Sequence, residues 1–199
     1  MLLANSFISW MIKLDKELFL YLNTKLTNPF LDNVLPWFRN STNWVPFYII
    51  LLIFIAYKLK KYTFYWILGV AINTALSDQI SSTFIKKTFA RLRPCQDEEM
   101  KAISRLLLPH CSGGYSFTSS HATNHFALAM FICITLATVF KNYRYLFFVW
   151  AGIICYAQVY VGVHYPLDVV AGAMLGCLIG FFTGNLFNKY VNKSLQQNN

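Results

Sequence analysis

Two histidines in this chain stand where a polar stretch gives way to an apolar one. His164-Tyr-Pro166-Leu-Asp168 is one place, and Ser116-Phe-Thr-Ser119-Ser120-His121 is the other. Pro166 suits the first turn of a helix, which leaves His164 just outside it and Asp168 inside. A carboxylate four residues on can reach the imidazole, fix its tautomer and stabilise its cation. A histidine held that way can attack phosphorus through its other ring nitrogen. His121 then supplies the second imidazole, which protonates the leaving oxygen. Lys86, Lys87, Arg91 and Arg93 open the same polar stretch that His121 closes. Cations beside free helix N–H groups make an anion site, and phosphate is the obvious anion. With Lys and Arg neutralising the equatorial oxygens, this chemistry calls for no metal and no cofactor.

The elements that must position these groups lie in a chain of membrane composition. Of 199 residues, 56% are apolar and 13% charged, against about 25% charged in a soluble domain. Mean hydropathy is +0.44. That excludes a disordered chain, a coiled coil and a nucleic-acid-binding arm. The net charge of +9 belongs in cytoplasmic loops or at an anion site. No secretory signal is recognisable at Met1-Leu-Leu-Ala-Asn-Ser, so the N-terminus is expected to be retained.

Five apolar segments, near 44–59, 64–84, 121–140, 145–163 and 167–187, run close to the roughly 20 residues a crossing helix needs. Trp44, Trp66, Tyr143 and Tyr145 stand at segment ends, as interfacial aromatics do. Ahead of them, Phe7–Leu26 and Pro29–Phe38 read as amphipathic helices in the interface, the second ending at Arg39. The expected fold is an all-α polytopic membrane bundle of about five to six helices. It divides into an N-terminal amphipathic region (1–43), a transmembrane catalytic domain (44–187) and a polar tail (188–199). Cations divide evenly between the two sides, so the short basic loops decide orientation, and the 85–120 loop is placed outside. Thr74, Ser77, Asp78, Ser81 and Ser82 form a polar stripe that must face other helices or a wet cavity. Gly172, Gly176, Gly180 and Gly184 form a close-packing groove.

The ordered set Lys86-x6-Arg93-Pro94, Thr118-Ser119-Ser120-His121 and His164-x3-Asp168 resembles the three-part signature of the type 2 phosphatidic acid phosphatase (PAP2) superfamily. That signature is K-x6-R-P, P-S-G-H and S-R-x5-H-x3-D, and the resemblance covers roughly residues 64–187. It implies His164 as a nucleophile forming a phospho-histidine, with Asp168 orienting it. It further implies His121 as the acid for the leaving group and the base for the following water, and Lys86, Arg93, Ser119 and Ser120 as phosphate-binding groups. Two departures stand out. Thr118 and Ser120 replace Pro and Gly, which leaves backbone N–H groups able to point inward. Gln158 stands where the family has a phosphate-binding Arg. Gln supplies neither charge nor a bidentate fork, a loss of about 2–3 kcal/mol unless Lys87 or Arg91 compensates. Gln158→Arg is therefore expected to raise activity or leave it unchanged, unless Gln158 has a bonding role of its own.

The reading is an integral-membrane phosphatase or pyrophosphatase acting on a lipid-borne phosphate at the outer face of the cytoplasmic membrane. Phosphatidic acid, phosphatidylglycerol phosphate, polyprenyl diphosphate and lipid A phosphates are the candidate substrates. Three alternatives stay open: a lipid phosphotransferase, a phospholipid-binding member without turnover, and a transporter, which would lack the expected inverted repeat. His125, one turn beyond His121, forms an H-x3-H pair, although further metal ligands are scarce nearby. His110 reads as a loop residue. Asp78 is either a functional acid or a hydrogen-bond acceptor within its stripe. Cys133, Cys155 and Cys177 read as small buried hydrophobes. Cys95 and Cys111 could be free thiols or, in an oxidising compartment, a bridge across the loop.

Overall fold

The computed structural model describes residues 2–192; Met1 and the tail from Lys193 on lie outside the described residues. Every regular element among the described residues is helical. The helices are α1 (Leu2–Leu20), α2 (Pro29–Arg39), α3 (Val45–Leu59), α4 (Thr63–Asp78), α5 (Lys86–Phe89), α6 (Glu98–Ile103), α7 (Ser120–Thr135), α8 (Ala137–Phe140), α9 (Leu146–Tyr160) and α10 (Pro166–Phe187). A π-helical stretch, Gln79–Ile85, joins α4 to α5.

Lysines mark the turns. Lys60, after α3, and Lys141, after α8, both take positive φ (50° and 48°) and break what would otherwise be longer rods. Two helical stretches are long and apolar enough to cross a membrane, Ser41–Phe89 and Pro166–Val191. A third exists if Ser120–Thr135 and Ala137–Tyr160, bent by 81°, count as one span. That is fewer than the sequence reading expects. The physical reason lies in the breaks: α3 and α4 fall within one such stretch, and α7 and α9, of 16 and 15 residues, each fall short of the roughly 20 that a bilayer core needs. The outward faces are strongly apolar, with Ile50, Ile53, Phe64, Met174 and Phe182 exposed. A soluble surface does not carry such a band.

Helix α7 is the axis of the molecule, packed against α10, α4 and α9. Its closest neighbour is α10, and glycine is the reason. A Cβ at Gly176 would lie 2.3 Å from the Thr123 carbonyl oxygen, and one at Gly172 2.7 Å from that of Ser119. Any larger residue would push the helices apart. Behind α7, Trp66, Phe131, Ile132, Leu136 and Phe147 form the main apolar core. Trp66 is thus not an interfacial anchor. It is buried, and its indole N–H donates to Thr135 Oγ1 at 3.0 Å. A buried indole needs such a partner.

The polar stripe of α4 meets the start of α7. Ser77 Oγ lies 2.7 Å from Asn124 Oδ1, and Ser82 Oγ lies 3.0 Å from Asp78 Oδ1 and 2.8 Å from Ser120 Oγ. Asp78 therefore sits inside a helix-to-helix hydrogen-bond network.

The N-terminal pair α1 and α2 is more than a raft on the interface. Phe7, Ile8 and Trp10 do face outward, but Phe19, Leu35, Asp15 and Asn23 are buried against the rest of the chain. Asn23 donates to the carbonyls of Arg105 and Tyr160 and accepts from the Arg105 N–H. Arg105 pairs with Asp32 at 2.6 Å.

Candidate active site

The site begins with the corner between α9 and α10. Gly162 takes φ +91°, and a Cβ there would lie 2.2 Å from the Arg105 carbonyl oxygen, so this turn requires glycine. The chain then delivers His164 and enters α10 through Pro166 at its first turn. Asp168, in that turn, accepts the Tyr165 N–H at 2.9 Å. Helix α7 starts beside it: the Ser119 N–H donates to the Asp168 carbonyl at 3.0 Å, and Ser119 Oγ caps the Ala122 N–H.

His164 is buried. Its Nε2 lies 3.0 Å from Arg93 Nη1, and its Nδ1 lies 3.5 Å from Asp168 Oδ2. A guanidinium can only donate, so Nε2 must carry the lone pair and Nδ1 the proton. The nitrogen that bears the lone pair is therefore the one beside a cation. Burial pushes the imidazole pKa down to about 4, against the pull of Asp168, so the ring is neutral at neutral pH. Arg93 also donates to the carbonyls of Gly114 and Val163, while its Nη2 has no protein partner among the described residues. Burial lowers the Arg93 pKa, Asp168 opposes the fall and the charge of Arg39 adds to it.

Around this pair stand further charged groups. His121, half-buried at the start of α7, is within electrostatic range of His164, Lys86 and Arg39. Lys86, also half-buried, acts on His164. Lys86, Arg93 and Arg39 have no carboxylate partner within ion-pair distance among the described residues. Two of them, Lys86 and Arg93, act on the neutral imidazole of His164 and with it form a site for an anion. Among the described residues, no three His, Cys, Asp or Glu side chains are grouped to hold a metal ion.

A model of the PAP2 superfamily matches residues 62–191. The chain belongs to the PAP2 superfamily. It is 29% identical to the lipid A 4'-phosphatase of Porphyromonas gingivalis over 90% of its own length and 75% of that protein's. It is 33% identical to the lipid A 4'-phosphatase of Bacteroides thetaiotaomicron over 90% of its own length and 78% of that protein's. Among solved structures, LpxE of Aquifex aeolicus superposes with a TM-score of 0.59 at 29% identity, covering 87% of this chain and 94% of that one. A PAP2-type phosphatidylglycerolphosphate phosphatase from Bacillus subtilis superposes at 0.63 over 90% and 88%; at 21% identity it supports the fold alone. As a PAP2 member with such relatives, the chain is a phosphatase, a phosphoric ester hydrolase bound for the membrane.

Placed on this PAP2 site, the sequence-derived residues divide. His164, Asp168 and Arg93 are in contact, with His121 and Lys86 within electrostatic range of the His164 ring. Ser119 donates its N–H to the Asp168 carbonyl and accepts the Ala122 N–H on Oγ, which anchors the helix corner and leaves the hydroxyl proton as its remaining donor among the described residues. Ser120 bonds Ser82, and its backbone N–H and that of His121 remain the open donors of the helix start. Arg91 cannot stand in for a missing phosphate cation. Its guanidinium bridges Asp168 at 2.7 Å and Asp15 at 2.6 Å. Lys87 is exposed on the short α5. His125 places its ring edge-on to Trp150 and bonds the His121 carbonyl, which accounts for it without a metal. Cys95 and Cys111 are joined, pinning the loop that carries Arg93.

Two participants escaped the sequence reading. Asp15 is buried beside the start of α10, bonded to Arg91 and to the Leu167 N–H. Arg39 bonds Gln158. The signals available were a lone acid on the amphipathic α1 and a basic residue closing α2, and neither spacing names a partner.

Proposed function

We propose that this protein removes a phosphate group from a membrane lipid of the lipid A class through a phospho-histidine on His164. The observation that carries the reading is the His164 ring: Nε2 bears the lone pair and faces Arg93, and Nδ1 is directed at a buried carboxylate. The Nε2 lone pair attacks phosphorus, the P–O bond to the sugar breaks, and His121 hands a proton to the departing oxygen. Asp168 stabilises the imidazolium so formed. Water, deprotonated by His121, then attacks the same phosphorus and the P–N bond breaks, releasing inorganic phosphate and neutral His164. Lys86, Arg93 and the N–H groups of Ser120 and His121 hold the equatorial oxygens.

Lipid A is favoured because the two relatives named as 4'-phosphatases match through the N-terminal region as well as the motif-bearing part. Residues 1–43 form an N-terminal docking region, 44–187 the catalytic bundle and 188–199 a tail. Reading Lys60 and Lys141 as turns gives five crossings, with the 85–120 loop on the outer side of the cytoplasmic membrane. The Cys95–Cys111 bridge supports an oxidising side for that loop. The test is a panel of lipid A, phosphatidic acid, phosphatidylglycerol phosphate and polyprenyl diphosphate presented to purified protein in detergent. Inorganic phosphate released fastest from lipid A is the expected result. Release confined to another lipid overturns the substrate, and transfer to a hydroxyl with no free phosphate overturns hydrolysis.

A further inference from the structure

Gln158 is fully buried, and its side-chain amide is half satisfied. Its Oε1 accepts from Arg39 Nε at 3.3 Å, while its Nε2 has no partner. Arg39, the last residue of α2, comes from outside the stretch that matches the PAP2 superfamily. Its guanidinium makes that single side-chain bond through Nε. The terminal Nη1 and Nη2 have no protein acceptor among the described residues, nor does any carboxylate pair with them. Such a fork, held by its Nε and open at its end, is the geometry that takes two oxygens of a phosphate. Its position fits, since the Arg39 charge acts on both His121 and Arg93. Burial also lowers its own pKa, the mark of a cation taken from water without a fixed counter-ion.

We propose that Arg39 is a substrate-binding residue, the third cation of the phosphate site, steered there by the carbonyl oxygen of Gln158. The inference rests on the phosphatase reading above and deepens it. It also explains the residue at 158. An arginine there would be donor-only and would set two guanidinium groups against each other, whereas glutamine supplies the acceptor that orients Arg39. Position 158 and position 39 therefore work as a pair: the cation stands on α2, and the glutamine on α9 is its guide.

The pairing gives a test with opposite signs. Full-length protein in detergent is compared as wild type, Arg39→Ala, Gln158→Arg and the double variant. Two readouts are used, orthovanadate affinity by isothermal titration and phosphate release from lipid A. Arg39→Ala is expected to weaken orthovanadate by about tenfold or more and lower kcat/KM by about 10²-fold. Gln158→Arg is expected to impair the wild type yet improve Arg39→Ala by about tenfold, because the new guanidinium then has room and a vacancy. Orthovanadate affinity of Arg39→Ala within about threefold of wild type would overturn the assignment, as would a double variant no better than Arg39→Ala. Should Arg39→Ala not elute as a folded species, Arg39→Gln is read against the same limits. Wild type that binds orthovanadate but hydrolyses no lipid sinks the phosphatase reading, and the titration still decides Arg39.

Discussion

The stretch matching the superfamily and the N-terminal helices α1 and α2 before it contribute different things to one site. Residues 62–191 carry the groups to which the proposed mechanism assigns the chemistry: His164, His121, Asp168 and the cations Lys86 and Arg93. The N-terminal helices carry groups that hold those groups in place or complete their charge. Asp15 braces Arg91, which braces Asp168; Asn23 and Asp32 fasten Arg105; Arg39 joins Gln158. Chemistry is thus local in sequence and legible as motif, while its support is distant in sequence and legible only once the chain is folded.

Breaking the reacting side should have the largest effect. His164→Ala removes the attacking nitrogen, and no other imidazole is free to replace it, since His125 is committed to Trp150 and the His121 carbonyl. Phosphate release should fall by about 10⁴-fold or more, to background in a malachite-type assay. Detectable release above the apo-lipid blank would mean another nucleophile.

Asp168→Asn follows. The imidazolium of the intermediate loses its counter-charge and Arg91 loses one of its two carboxylates, so kcat should drop about 10²–10³-fold. A spectroscopic check accompanies it. Burial depresses the His164 pKa to about 4 and Asp168 opposes that, so the ring should titrate by NMR near pH 4 in wild type and lower in the variant. The sign for stability follows from linkage. An unfolded chain takes up this proton near pH 6.5, so the stabilisation is complete above that value and is lost as pH falls towards 4. A ring titrating near 6.5 in the folded protein would contradict the buried, neutral nucleophile.

On the supporting side, Asp15→Asn tests whether the N-terminal helix reaches the chemistry. Its carboxylate is 1% exposed and lies 2.6 Å from Arg91. Stability should fall by about 3 kcal/mol, as when one member of a buried pair is removed. If Asp15 acts through Arg91 on Asp168, kcat falls by about tenfold while KM stays put. Equal loss in both would make it a packing residue alone.

Much of the bundle was legible because apolar runs and helix starts are local signals. Pro166 before Asp168 announced the α10 corner, and the glycine repeat announced the α7–α10 contact. Trp66 was misjudged because a tryptophan at a segment end looks the same whether it meets headgroups or Thr135. Ser119 carried a motif position whose backbone N–H also closes the corner. Arg39 and Asp15 were out of reach for a different reason: they act across 119 and 76 residues of chain, and no periodicity encodes a pairing at that separation. The crossing number was the least legible feature, since four helices of 15 or 16 residues lie at the edge of what a bilayer core requires.

Lys16 gives the smallest effect and the sharpest control. It is the next residue after Asp15, on the same helix, and it too is ion-paired, to Glu99 at 2.8 Å and Asp97 at 3.2 Å. Its side chain is 28% exposed, so water screens the pair and truncation should cost about 0–1 kcal/mol. Lys16→Ala should therefore leave kcat and KM for lipid phosphate near wild type in the same assay that registers Asp15→Asn. Adding salt to wild type should reproduce what small loss of stability it shows, because an exposed pair weakens with ionic strength and the buried Asp15–Arg91 contact does not. A Lys16→Ala loss as large as that of Asp15→Asn would shift the weight from one buried contact to the docking of α1 as a whole. The nucleophile would then be held by how firmly the helix sits on the loop, with no special part for the carboxylate behind Arg91.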